Sequence, residues 1–151
     1  MLNPFDLKTA LLAKHAQHVV LIHFPIALFM VGVLFDFLAQ WTKRQALAAA
    51  AYYNFVVAAI AALPVVATGL LAWQWQLEGQ RLKGILLQHL VLGCTSSVLI
   101  WLVWWIHFRA HRKQVSLLLP TYRLPIEALG VAIIGLTGHL GGFLSGVNGP
   151  G

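Results

Sequence analysis

Four long apolar runs, almost empty of charge, decide what this chain can fold into. The clearest lies within Ala46 to Leu77, which contains no Lys, Arg, Asp or Glu. A spanning helix needs ~20 mostly apolar residues, because the hydrocarbon core is ~30 Å thick and a helix rises ~1.5 Å per residue. Three further segments meet that requirement, at about His18 to Trp41, Gly84 to Phe108 and Tyr122 to Leu144. The runs are too long for strands and lack period-two alternation. The links between them are short, so neighbouring helices should pack antiparallel. The expected fold is all-α, an integral membrane four-helix antiparallel bundle.

Composition agrees and narrows the function classes. The chain is 60% hydrophobic and 9% charged, where a soluble domain averages about 45–50% apolar and about 25% charged. That excludes a water-soluble globule, a disordered tail and a soluble coiled coil. The net charge of +6 arises from basic residues set mostly between the apolar runs, the pattern of membrane orientation rather than of nucleic-acid binding. The single Cys94 excludes a disulfide framework within the chain and a multi-cysteine metal site. No nucleophile–base set or phosphate loop is apparent, so an electron-transfer or accessory subunit is expected before an enzyme.

Three regions follow. Residues 1–17 read as an interfacial N-terminal helix, opened by Asn3-Pro4-Phe5-Asp6, which suits a helix start. The head has no basic n-region and no convincing cleavage site, unlike a signal peptide. Residues 18–144 form the four-span domain, and 145–151 a Gly-rich tail.

Four spans put both termini on one side, called side A, together with the second link. Side B holds the first and third links. Side B carries Lys43, Arg44, Arg109, Arg112 and Lys113, with Arg123 at the mouth of the fourth span, against Lys8, Lys14, Arg81 and Lys83 on side A. The positive-inside rule makes side B cytoplasmic. Trp41, Trp104 and Trp105 fall at one end of the spans and Trp73 and Trp75 at the other, as interfacial belts would.

Histidine placement is the informative feature. His23, His89 and His139 sit at similar depth in three different spans, in the side-A leaflet, with His18 shallower. A single intramembrane histidine often just hydrogen-bonds to a neighbouring helix. Three at one depth suggest a ligand set, since imidazole binds haem iron and other metals. Each has a small residue one turn deeper: Ala27, Gly93 and Gly135. Such residues make room for a flat macrocycle, although they also serve close helix packing. His23 and His89 lie on helices that are diagonal in an up-down bundle, so they form the expected axial pair, with His139 as the alternative ligand. Pro25 should kink the first span near this depth. Arg81 and Lys83 lie just outside the leaflet, where they suit haem propionates or lipid headgroups.

At side B, Asp36 and Glu127 are intramembrane acids. An ion pair is the first reading, using Arg123 one turn from Glu127 or Arg44 near Asp36, and proton handling is the alternative. His107 and His111 lie in a basic run and are expected at the cytoplasmic headgroups.

The stretch from His18 through His23-Phe24-Pro25-Ile26-Ala27-Leu28, with Asp36 beyond it, resembles the opening of domain of unknown function 2231, a family of small bacterial membrane proteins. His89 matches its third-span histidine, and Gly138-His139-Leu140-Gly141-Gly142-Phe143-Leu144 its fourth-span motif. The likeness covers about Gln17 to Gly149. Where the family pattern carries His-Gly after the fourth span, this chain has Asn148-Gly149, so no terminal histidine is carried over. The resemblance implies a four-helix membrane bundle laid out like haem-binding cytochromes and sometimes joined to Rieske or cytochrome c modules. The expectation is therefore a membrane protein holding one or two haem b groups and passing electrons at the outer leaflet. It would act as a small subunit or anchor of a respiratory or photosynthetic complex, with quinol or cytochrome c as partner. Its place would be the bacterial inner membrane, with both termini periplasmic and no nucleic-acid partner. Two alternatives stand beside it: a cofactor-free structural subunit, and a copper- or zinc-binding membrane protein.

Overall fold

The computed structural model describes residues 14–76, 78–79, 81–113 and 121–146. Four helices account for nearly all of them: α1 Lys14–Thr42, α2 Gln45–Gln76, α3 Gly84–Arg112 and α4 Arg123–Leu144. Each is long and apolar enough to cross a membrane. No strand occurs among the described residues. Helix α1 is continuous from Lys14, and its candidate membrane span is Gln17–Thr42. The expected helix start at Asn3 lies outside the described residues, as does the tail beyond Gly146.

Chain geometry at the links fixes the antiparallel order. Helix α1 ends at Thr42, and Lys43 adopts a left-handed φ of 57° while its N–H still donates to the Ala39 carbonyl at 2.8 Å. That reverses the chain within two residues. The α2–α3 link turns through Glu78 and Gly79, both at positive φ. Helix α1 continues through Pro25, and α2 through Pro64, without a break.

Helix α1 packs along α2 and α3 along α4, while α2 joins the two hairpins through α3. Helices α1 and α3 are therefore diagonal. Small residues permit the close approach of α2: Ala51, Ala58, Ala59 and Ala62 are all buried. Across the middle of the bundle, Phe29 and Phe55 meet with ring centroids 5.6 Å apart, both fully buried. Each ring sits over a glycine. A Cβ on Gly32 would lie 2.7 Å from Phe55 Cε1, and one on Gly130 would lie 2.7 Å from Phe29 Cζ. Ile100, Val103 and Ile134 complete this layer. The outer faces carry exposed Phe24, Leu34, Phe37, Ile60, Leu63 and Val98, as lipid-facing helix surfaces do.

Candidate functional site

Above that layer, toward side A, all four helices line one cavity of about 870 Å³. The volume lies within the ~300–1,000 Å³ typical of small-molecule and cofactor sites. Ile26, Ala62, Ile100 and Ile134 contribute apolar walls, and Gly69, Gly93, Gly138, Gly141 and Gly142 keep the helices from filling the space.

Three histidines line this cavity: His18 and His23 from α1 and His89 from α3. Their hydrogen bonds set the tautomers. His89 Nδ1 lies 3.1 Å from the Thr137 carbonyl of α4, and His23 Nδ1 lies 2.7 Å from the Val19 carbonyl one turn back. A carbonyl can only accept, so Nδ1 carries the hydrogen in both rings and Nε2 holds the lone pair. His18 Nδ1 is 3.1 Å from Thr68 Oγ1. The Thr68 hydroxyl donates to the Pro64 carbonyl at 2.8 Å, so its oxygen accepts from His18. All three rings thus carry the Nδ1–H that fixes Nε2 as the ligating nitrogen in many metal and haem sites. Two glycines receive the rings: a Cβ on Gly69 would meet His18 Cε1 at 2.9 Å, and one on Gly141 would meet His89 Cε1 at 3.2 Å.

The other residues singled out from the sequence fall elsewhere. His139 does not line the cavity; it is exposed, with its ring edge-on to Phe143 at 5.0 Å. Of the three small residues one turn deeper, Gly93 lines the cavity, whereas Ala27 and Gly135 do not. Arg81 is exposed in the α2–α3 link beside Leu82, which lines the cavity. Ser96 and Thr137 pair through their hydroxyls at 3.0 Å, next to the cavity wall.

At side B the structure corrects the sequence expectation for His107. It does not face the headgroups. Its side chain is 3% exposed, with Nε2 2.9 Å from Glu127 Oε1 and its ring centroid 4.6 Å from that of the tilted Phe55 ring. The cause is helical phase: Ser96, Leu99, Ile100, Val103 and His107 form one buried stripe on α3. His111, one turn on, is exposed and stacks on Tyr52 at 4.4 Å. Arg123 takes part in an intramembrane ion pair, as expected. It is 1% exposed, and its Nε–H donates to Asp36 Oδ2 at 2.7 Å. It also reaches Gln40 Oε1 at 3.4 Å and lies 3.9 Å from Glu127. The ion pair therefore joins Arg123 to Asp36 across α4 and α1, and Arg44 is not the partner found. One carboxylate oxygen each from Asp36 and Glu127 and one ring nitrogen of His107 all lie within 4.8 Å of one another.

Four apolar antiparallel helices, with a polar cluster sealed at one end and a histidine-rimmed cavity at the other, define a multi-pass helical membrane protein. The chain belongs to the family of predicted membrane proteins named domain of unknown function 2231, which matches residues 14–149. No curated protein and no solved structure matches it.

Proposed function

We propose that the side-A cavity holds a b-type haem between His23 and His89 and that the protein passes electrons. The observation that carries this reading is the shared tautomer of histidines on diagonal helices around one large apolar cavity. The donor set fits the group: two imidazoles whose Nδ1–H bonds leave Nε2 to ligate, apolar walls, and Gly93 beside His89 on the cavity side. When bound, haem supplies a reversible one-electron couple. The chain's own residues hold and orient the ligands. Thr137 and Val19 carbonyls anchor His89 and His23, Gly141 sets the His89 ring position, and His18 stands by as a further imidazole anchored to Thr68. Arg81 and Lys83 supply positive charge near the mouth for propionates. With side B cytoplasmic, the cavity faces the outer leaflet of a bacterial inner membrane and both termini are periplasmic. Electrons would then pass to or from quinol or a cytochrome c within a larger membrane complex.

A reduced-minus-oxidised visible spectrum of the purified protein tests this. Low-spin b-type bands are expected, and His89→Ala or His23→Ala should abolish the low-spin form. A colourless protein would refute it in favour of a cofactor-free structural subunit. Stoichiometric copper or zinc without haem would instead support the bare-metal alternative.

A further inference from the structure

The buried cluster at side B has an unbalanced charge. Asp36 and Glu127 each bring a carboxyl group, and both are 1% exposed. Arg123 supplies one guanidinium, committed to Asp36 at 2.7 Å and standing off at 3.9 Å from Glu127. With both acids ionised and His107 neutral, the cluster carries one uncompensated negative charge inside the bilayer. Such a charge costs several kcal/mol. Glu127 also shows where the imbalance falls. Its Oε1 lies 2.9 Å from His107 Nε2, but its Oε2 is buried with no hydrogen-bond partner among the described residues. A charged oxygen left without a donor is among the costliest states of a buried carboxylate.

Two kinds of cation could restore the balance. A divalent metal would bring two charges where one is missing, and would have to sit against a guanidinium that already holds Asp36. A proton brings one charge and needs no coordination sphere. We infer that Glu127 binds one exchangeable proton on Oε2, making this cluster a proton-binding site independent of whatever the side-A cavity holds. With Glu127 neutral, His107 Nε2–H donates to Oε1 as to an ordinary carbonyl, and the Arg123–Asp36 pair is left balanced.

Each helix contributes to the surroundings of this proton. Asp36 and Gln40 come from α1, and His107 and His111 from α3. Arg123 and Glu127 come from α4, and from α2 come Phe55 against His107 and Tyr52 against His111. Glu127 lines an apolar groove of about 560 Å³ between α1 and α4, with Val33, Phe37, Pro125 and Ala128.

Infrared spectroscopy of the full-length protein in lipid nanodiscs near neutral pH tests the inference. One protonated-carboxyl C=O band is expected, shifting in heavy water. It should also shift when glutamate carries heavy carbon in its side-chain carboxyl, and not when aspartate does. The chain has two glutamates, and the other, Glu78, is exposed in the α2–α3 link, which makes the assignment direct. Glu127→Gln should remove the band. Asp36→Asn should remove it as well, with Glu127 intact, because Arg123 then neutralises Glu127 alone. The labelled wild type decides the matter even if a variant fails to fold. The inference is overturned by the absence of the band from wild type, by a band that follows aspartate, or by a band unchanged in Asp36→Asn. Stoichiometric zinc held by wild type and lost in Glu127→Gln would overturn it too.

Discussion

Replacing Arg123 with Met keeps the length of the side chain and removes its charge. In the native fold the guanidinium reaches Asp36 at 2.7 Å and Gln40 at 3.4 Å, with both charged partners 1% exposed. Removing one partner of such a buried pair costs about 3–5 kcal/mol, because the other is left uncompensated. The variant should therefore lose about 3–5 kcal/mol at neutral pH. Adding Asp36→Asn should recover most of the loss at neutral pH. Denaturant-induced unfolding in bicelles, followed by helical circular dichroism, measures all three proteins. A loss under ~1 kcal/mol for Arg123→Met, or no recovery in the double variant, would refute the claim that this pair is a buried charge balance.

Three further outcomes are expected. Gly130→Ala places a Cβ 2.7 Å from a fully buried Phe29 ring and should cost about 1–3 kcal/mol, whereas Gly135→Ala, with nothing within 4 Å and outside the cavity lining, should be neutral or stabilising in the same unfolding assay. His139→Ala should leave any low-spin haem spectrum intact while His89→Ala abolishes it, since of these two only His89 lines the cavity; the reverse result in visible spectra would move the ligand to α4. A reporter fused after Gly151 should be active only outside the cytoplasm, because the exposed basic residues Lys43, Arg44, Arg109, Arg112 and Lys113 gather at the opposite end.

The spans were legible because bilayer thickness acts on every residue of a run, so local composition suffices to find them. The diagonal placement of α1 and α3 followed from short links alone. Side-chain direction was less legible. His139 has the right depth, yet depth says nothing about helical phase, and its phase turns it away from the cavity. His107 is the converse. It sits in a run with Arg109, His111, Arg112 and Lys113, which suggests the headgroups, but its spacing from Val103, Ile100 and Ser96 marks it as core. That periodic signal was present in the sequence, and the basic neighbours masked it. The glycines that receive the histidine rings, Gly69 and Gly141, lie on helices other than those carrying the rings, so only the register between helices reveals them.

That register also explains why the two ends of the bundle can serve separate purposes. Between them lies the layer in which Phe29 and Phe55 interlock over Gly130 and Gly32, closed by Ala58, Ala59, Ile100, Val103 and Ile134. Its buried members are all apolar, so it gives a proton no chain of donors and acceptors to follow from one end to the other. Communication between the sites must then be electrostatic. His89 and His107 share α3 and are roughly 27 Å apart at ~1.5 Å per residue. At an effective dielectric of ~20, two unit charges that far apart interact by about 0.6 kcal/mol. A proton gained or lost at Glu127 can thus bias a charge held at His89 only weakly, and each site keeps its own chemistry because the aromatic layer separates them.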